Sequence, residues 1–421
     1  MARDREIIVH PDRQGLSRYR KLSYPARYGR YHEMRFAGHT CHLNLNGEIR
    51  FIQGRGPLWP HPMEWLKRSM GNDWIYYSVR GYDDTFDRIG EYYLPCFSYG
   101  SNSLFPAVDF AHPALRRAMA MTGPLSRAAR RQVRGRESRG RAAEVLTRVA
   151  AATPQQLEAR AHRLRRILRA RVPVLPPDCR HVDYDVIPVM ISEGCLYNCG
   201  FCQVKTGGDF RVRDRAGVRR QIDALAGHYG DDLLNHNALF LGQNDGLAAG
   251  SEAICRAAEY GFRRLGQDVA LIRGPVLFLF GSVDSFLALG EHDLARLHGL
   301  PQRVYINIGL ESFHRPALAR LAKPVDAGRV RAAFARMVAV NRAWPDLEVT
   351  CNCLLDETLP AGHIESMARV ITDTLPHYYP RGTLYLSPVA GTGDPALLLR
   401  QFREIQSLRR IDTLLYLLQR L

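Results

Sequence analysis

The sequence predicts an α/β protein built on a partial (β/α)6 barrel of the TIM type, preceded by an N-terminal α+β accessory region. Three observations lead there. After residue 175, apolar β-type runs alternate with helical stretches; Pro173, Pro176 and Pro177 break the chain just before that alternation; and the first 110 residues are instead rich in aromatics and turns. Strands separated by helices imply parallel βα units, which curl into a barrel or partial barrel with its active site at the strands' C-terminal ends. The strands are expected near residues 184–191, 238–242, 276–281, 304–309, 347–354 and 383–387.

At 421 residues the chain exceeds the usual size of one domain. The expected division is an aromatic-rich accessory domain over 1–110, an Arg-rich helical segment and linker over 111–175, the barrel core over 176–395 and a C-terminal helix over 396–421. Within the accessory domain Leu43, Leu45, Ile49 and Phe51 alternate around Asn46-Gly47, a dipeptide suited to a two-residue hairpin turn. Trp59, Trp65 and Trp74, with Tyr76, Tyr77, Tyr92 and Tyr93, read as a small core rather than a substrate entrance. The clearest helix starts at Thr153, an N-cap followed by Pro154 and Gln156, with Leu157, Ala161, Leu164 and Leu168 as its apolar stripe. Asp394-Pro395 caps a final helix in which Leu398, Phe402, Ile405 and later leucines line one face.

Composition bounds the class. The chain is 46% hydrophobic and 24% charged, as globular proteins are, and its longest apolar runs are far too short to span a bilayer. The charged N-terminus is not followed by an apolar signal region, so the expected location is cytoplasmic and the nine cysteines are expected to stay reduced. Of the net charge of +16, residues 116–171 supply +13, from 16 arginines against Glu137, Glu144 and Glu158. An anionic partner would meet this segment first, although a solvated helical face is the favoured reading.

The chemistry is carried by Cys195-Leu-Tyr-Asn-Cys199-Gly-Phe-Cys202, just after the first expected strand. Thiolates are soft ligands suited to iron–sulfur clusters or zinc, but a closed zinc site needs four ligands, usually in two pairs, and no second pair follows. Three cysteines on a four-iron cubane leave one iron open to a small molecule. Thr350 and Asn352 alternate with Cys351 and Cys353 on the fifth strand; with the polar pair facing the lumen, these cysteines point into the helix layer as small apolar residues. Cys41, Cys96, Cys179 and Cys255 show no metal-ligand spacing.

The segment from Ser192 to Cys202 resembles the signature loop of radical S-adenosylmethionine enzymes, and the likeness extends over about residues 180–390. That resemblance implies a 4Fe-4S cluster on Cys195, Cys199 and Cys202, and S-adenosylmethionine as its partner. Phe201 stands where relatives place an aromatic against the adenine. Gly242, Gln243, Asn244 and Asp245 end the second strand where the family has a Gly-Gly-Glu turn that receives the methionine amino group, and this chain departs from that triplet. The fourth strand, Val304 to Ser312, followed by Leu321-Ala-Lys323-Pro324, is similar to the family's segment at this place. Alternation puts Tyr305, Asn307 and Glu311 on one face, towards the lumen. Glu311 or Ser312 is then a candidate for the ribose hydroxyls, and Ser282 for the methionine carboxylate.

The resemblance implies reductive cleavage of S-adenosylmethionine to a 5′-deoxyadenosyl radical that abstracts hydrogen from substrate. It also implies an electron donor of flavodoxin or ferredoxin type. No catalytic acid or base is assigned, because the protein's part is aiming and exclusion of solvent. The substrate is not identified. The N-terminal cysteine pattern of tRNA methylthiotransferases, the Asp-x-His-x-x-Gly signature of cobalamin-dependent relatives and the cysteine-rich C-terminal extension of peptide-modifying ones are absent from the sequence. A small molecule or natural product remains by elimination; RNA modification through the basic segment, and a non-catalytic metal-binding or redox-sensing module, are the alternatives.

Overall fold

The computed structural model describes residues 6–19, 26–77, 93–95, 110–135, 139–170, 174–183, 185–202, 208–389 and 394–416. Seven strands, β1 (Ile8–Gln14), β2 (Arg30–Phe36), β3 (His39–Leu43), β4 (Ile49–Gly54), β5 (Trp65–Arg68), β6 (Trp74–Tyr77) and β7 (Tyr93–Pro95), form an antiparallel sheet in sequence order. The hairpin β3–β4 forms where predicted, but its turn spans 44–48 rather than two residues. The reason is Asn44, whose Oδ1 accepts from the N–H groups of Asn46 and Glu48 at 3.1 and 2.9 Å and so closes the wider turn. Gly47 has φ 81°, and a Cβ there would stand 2.7 Å from Arg148 Cβ.

The helices Pro113–Met119, Thr122–Arg134 and Gly140–Ala151 cover one face of this sheet. Leu115, Leu125, Val145 and Leu146 share a core with Met34, Ile52, Trp59 and Tyr76. Trp59 and Tyr76 thus fill a core; Tyr92 and the side chains of Tyr77 and Tyr93 lie outside the described residues. Thr153 caps the helix Pro154–Leu168 by accepting from Gln156 N–H at 3.2 Å, and Leu157, Ala161, Leu164 and Leu168 are buried.

The second sheet has seven parallel strands in the order in which the chain makes them: β8 (Ile187–Val189), β11 (Ala238–Leu241), β12 (Val276–Gly281), β13 (Arg303–Glu311), β14 (Leu347–Leu355), β15 (Tyr379–Pro388) and β16 (Ile411–Leu415). A doubly wound sheet reverses direction near its middle; this one never does, so successive right-handed crossovers curl it as in a barrel. β8 and β16 are its two edges, which leaves the barrel open. The short β9 (Ser192–Glu193) and β10 (Arg211–Val212) form an antiparallel ribbon beyond β8.

The expected helix over 396–421 is corrected. A helix runs from Pro395 to Gln406, and the chain then returns as β16. Arg409 adopts φ 48°, which ends the helical turn, and Ile411, Thr413 and Leu415 alternate in burial with Asp412 and Leu414, so a period of two replaces the helical stripe. Residues 417–421 lie outside the described residues. Seven strands therefore stand where six were expected.

The accessory sheet docks on the N-terminal ends of the barrel strands. Lys67, 1% exposed, donates to Asp183 O at 2.6 Å and lies 3.6 and 3.2 Å from the carboxylates of Asp183 and Asp185, just ahead of β8. Arg50 reaches Asp185 at 2.5 Å. Ahead of β11, Asp232 accepts from Leu45 N–H at 3.2 Å, and Asn46 donates to Tyr229 O at 2.6 Å. Burial alone would raise the Asp185 pKa, but Lys67 and Arg50 hold it below the usual carboxylate range.

Candidate functional site

β8 leads through β9 to Gly194, whose φ of 74° turns the chain; a Cβ there would meet Asp209 O at 2.4 Å. The cysteine loop begins at this turn. Tyr197 donates to Asp284 Oδ2 at 2.5 Å and accepts from Asp284 N–H at 3.2 Å, which fastens the loop to the helix that follows β12. Gly200 N–H donates to Leu321 O at 2.9 Å, and Cys202 N–H to Cys199 O at 3.4 Å. Phe201 packs on Ala317, Leu321, Leu354 and Leu359, beyond the ends of β13 and β14. The loop is therefore anchored to residues just past the C-terminal ends of the central strands, at the end opposite the accessory sheet.

Cys199 is buried, while Cys195 and Cys202 are half-buried. Burial pushes the Cys199 thiol up to about 11, with Lys323 opposing the shift and Glu311, Cys195 and Cys202 adding to it. Burial raises Cys195 as well; Tyr197 N–H and Lys323 favour its thiolate, and Asp245 and Cys202 disfavour it. These mutual effects put the three thiols in one electrostatic neighbourhood with Asp245, Glu311 and Lys323. Among the described residues, however, no group of three His, Cys, Asp or Glu side chains is gathered closely enough to hold a metal ion.

The turn after β11 is folded tightly on itself. Gly242 has φ 120°, and a Cβ there would lie 2.7 Å from Gly246 Cα; one on Gly246 would lie 2.3 Å from Leu241 O. Both positions require glycine. Gln243 and Asn244 are half-buried, and Asp245 is 1% exposed. Asp245 Oδ1 accepts from Ala248 N–H at 3.2 Å and from Ser285 Oγ at 2.8 Å, while its Oδ2 is buried with no hydrogen-bond partner. Burial raises the Asp245 pKa against the opposing effect of Ser282 and Ser285. Ser282 caps the helix Val283–Leu287, its Oγ accepting from Ser285 N–H at 3.1 Å and its N–H donating to Ser285 Oγ at 2.9 Å. Asp245, Ser282 and Ser285 thus join the ends of β11 and β12.

At the end of β13 the predicted alternation is interrupted. A register shift between Gly309 and Glu311 sets Glu311 opposite Cys353, and Glu311 has φ 65°. Its carboxylate pairs with Lys323 at 3.3 Å, and a Cβ on Gly309 would lie 2.5 Å from Glu311 Oε1. Lys323 Nζ also lies 5.1 Å from the centre of the Tyr197 ring. Ser312 is directed elsewhere: its Oγ bonds His363 Nδ1 at 2.8 Å and accepts from His314 N–H at 3.0 Å, and it is 0% exposed. Of the two ribose candidates, only Glu311 faces the cysteine loop electrostatically.

Below the mouth, the inner face carries a polar ladder. Asn307 donates to Thr350 Oγ1 at 2.8 Å, Asn352 donates to Asn307 Oδ1 at 2.6 Å, and Thr350 donates to Asp178 Oδ2 at 2.8 Å. Tyr385 closes it, donating to Asp178 Oδ1 at 2.9 Å. Phe278 stacks on Tyr305, 5.5 Å between ring centres. Cys351 and Cys353 face the opposite way, into the main core, where burial raises both thiols. Cys41, Cys179 and Cys255 are also buried, and Cys96 lies outside the described residues.

Sequence reasoning did not single out Tyr197, Asp284 or Ser285 as parts of the site. Ser282-x-x-Ser285 directly after a strand is a helix-capping spacing from which Ser285 was legible, although it was not read. Asp284 carried no local signal, since its partner lies 87 residues away.

No family model matches the chain, and no curated protein matches it. Among solved structures it is similar to a radical SAM methyltransferase from Sphaerobacter thermophilus, with 18% identity and TM-score 0.40 over 55% of this chain and 65% of that one. It is similar to TsrM, a radical S-adenosylmethionine methyltransferase from Kitasatospora setae, with 13% identity and TM-score 0.33 over 49% of this chain and 38% of that one. The cobalamin-dependent S-adenosylmethionine radical enzyme OxsB shares 14% identity, with TM-score 0.34 over 55% of this chain and 32% of that one. The chain thus spans about a third to two thirds of the length of these proteins.

Proposed function

We propose that this chain is a radical S-adenosylmethionine enzyme acting on a small-molecule or natural-product substrate. The observation that carries the reading is the loop of Cys195, Cys199 and Cys202 beyond the barrel's C-terminal strand ends, with a buried, unpartnered carboxylate oxygen of Asp245 in the same electrostatic neighbourhood. The donor set suits a 4Fe-4S cluster, because three soft thiols from one loop leave one iron for an exchangeable ligand. Metal uptake orders its ligands, so the three thiols come together on binding.

A cluster held by Cys195, Cys199 and Cys202 would supply the one-electron reduction by which the carbon–sulfur bond of S-adenosylmethionine is cleaved to a 5′-deoxyadenosyl radical. The remaining roles fall to the chain. Asp245 Oδ2 accepts from the methionine ammonium, with Gly242 letting backbone, Gln243 and Asn244 approach it closely. Ser282, at a helix N-terminus after β12, receives the methionine carboxylate. Phe201 lies against the adenine, and Glu311, held by Lys323, orients the ribose. The lumen excludes water with Phe278 and Tyr305 and offers Asn352 as a half-buried amide for substrate.

Part of the basic segment is committed inside the protein, which favours a small substrate over RNA. Arg141, Arg148 and Arg160 of the basic segment are already engaged within the protein, by Asp12 and Glu144, by Asp231 and by Glu48 respectively. No helix among the described residues is long and apolar enough to cross a membrane. The electron donor is of flavodoxin or ferredoxin type, and the location cytoplasmic.

The test is anaerobic reconstitution with iron and sulfide, then reduction in the presence of S-adenosylmethionine. The expected product is 5′-deoxyadenosine, absent with Cys199→Ala. A well-loaded cluster that yields none, even with cell extract supplying substrates, overturns radical catalysis, and an unchanged iron content in Cys199→Ala overturns the ligand assignment.

A further inference from the structure

A cavity of about 540 Å³ lies at the other end of the molecule, on the seam between the accessory region and the barrel floor. Its walls come from β2 and the 44–48 turn, from the helix Gly140–Ala151, and from the segments that lead into β11 and β12. That volume matches a metabolite-sized ligand. Five arginines line it, Arg30, Arg141, Arg148, Arg263 and Arg264, against one acid, Asp231.

The acids that pair with these arginines mostly bind from outside the cavity. Asp12 and Glu144 take Arg141, and Asp223 takes Arg264, and none of these three carboxylates lines the wall. Asp231 is engaged by Arg148 at 2.6 Å. Two guanidinium groups are left over. Arg263, which is exposed, has no acidic partner among the described residues, and half-buried Arg30 has its Nε buried with no hydrogen-bond partner. An unmade bond on a buried charged donor is costly, and a guanidinium answers best to a carboxylate or phosphate. The neighbouring His32 registers this field in part: burial lowers its pKa to about 4, Asp12 opposes the shift, and Arg141, Arg148 and Arg30 add to it.

Much of the remaining wall is apolar. Leu233, Leu234, Leu265 and Val269 form it, and Val269 and Leu234 are 65% and 37% exposed. A bare inorganic anion leaves that wall wet, and a nucleic-acid backbone has nothing to set against it.

We propose that this seam cavity binds a small amphiphilic organic anion, its carboxylate or phosphate on Arg30 and Arg263 and its apolar body against Leu234 and Val269. The site is separate from the cysteine loop and does not depend on the catalytic reading. Arginine stays charged throughout the accessible pH range, so the arginine side of the site does not titrate.

The test uses the full chain without cluster, titrated calorimetrically at fixed ionic strength with octanoate, octyl phosphate and inorganic phosphate. Octanoate and octyl phosphate separate a carboxylate from a phosphate ligand. At least one of them is expected to bind saturably at one site and about tenfold more tightly than inorganic phosphate, the difference reflecting burial of the apolar body. Arg263→Gln is expected to weaken that binding about tenfold, and Arg30→Lys, which keeps the charge but removes Nε, to weaken it similarly. Val269→Ser should erase the preference over inorganic phosphate, and Arg127→Gln, on an exposed helix face outside the cavity lining, should change nothing. Absence of saturable binding by both amphiphiles overturns the proposal. So does binding that Arg263→Gln and Val269→Ser leave intact, or equal affinity for inorganic phosphate.

Discussion

The Tyr197 hydroxyl donates to Asp284 Oδ2 at 2.5 Å, so a residue between two of the loop cysteines is fastened to the helix that follows β12. Arg329 holds Asp284 in turn, donating through Nε at 2.9 Å. Tyr197→Phe removes this fastening and little packing. Reconstitution is expected to load iron normally, and a chelator should then strip it at least about tenfold faster than from the wild type, since a hydrogen bond to a charged group contributes about 1.5–3 kcal/mol. Equal stripping rates show the loop to be held by other contacts.

Asp245→Asn keeps the acceptor that serves Ala248 and Ser285 and neutralises the unpartnered oxygen. Under the proposed function its affinity for S-adenosylmethionine falls by about ten- to a hundredfold, read by equilibrium dialysis on cluster-loaded protein. Ser312→Ala is the contrast. It leaves that affinity unchanged and lowers stability by about 1 kcal/mol, because His363 Nδ1 loses its partner in the core.

Lys67→Met leaves the carboxylates of Asp183 and Asp185 facing each other where the accessory sheet meets the barrel. Breaking a buried ion pair by removing one member costs about 3–5 kcal/mol. Urea unfolding should show this loss. A loss under 1 kcal/mol means that Arg50 alone neutralises the junction.

Burial pushes the Asp178 carboxyl up to about 6, against the opposing effects of the Thr350 hydrogen bond, the charge of Arg180 and the Tyr385 hydrogen bond. The folded chain therefore keeps this proton to higher pH than the unfolded one. Stability falls as pH rises from about 4 to about 6, by about 3 kcal/mol, and this group adds no further change above that. In Asp178→Asn that slope disappears. Urea unfolding of both proteins at pH 4 and pH 7 measures it as the difference between their pH responses.

What the sequence made legible follows from how local each signal is. The barrel strands announce themselves as apolar runs because both faces of a parallel strand are buried. Thr153-Pro154 marks a helix start within four residues, and the cysteine loop is contiguous. The bulge at Gly309–Glu311 leaves no such mark: it accompanies the pairing of Glu311 with Lys323, a contact made only once the chain has turned back. β16 was hidden for a related reason. Leucines suit helix and strand alike, and only pairing with β15 decides between them. The wider turn at 44–48 was misjudged because Asn46-Gly47 is a strong local signal, outweighed by the Asn44 side chain and by Leu45 and Asn46 bonding to the barrel. Ser312 reads as a continuation of β13, yet its hydroxyl is claimed by His363, 51 residues on.

The junction of Lys67 and Arg50 with Asp183 and Asp185 also fixes an order of events during synthesis. The accessory sheet and its helices leave the ribosome first, and the acids that neutralise Lys67 and Arg50 are encoded only at the entrance to β8. Until that entrance emerges, the sheet must keep those cations in water, so its docking face stays open. The first barrel strand is thus the signal on which the N-terminal half of the protein closes.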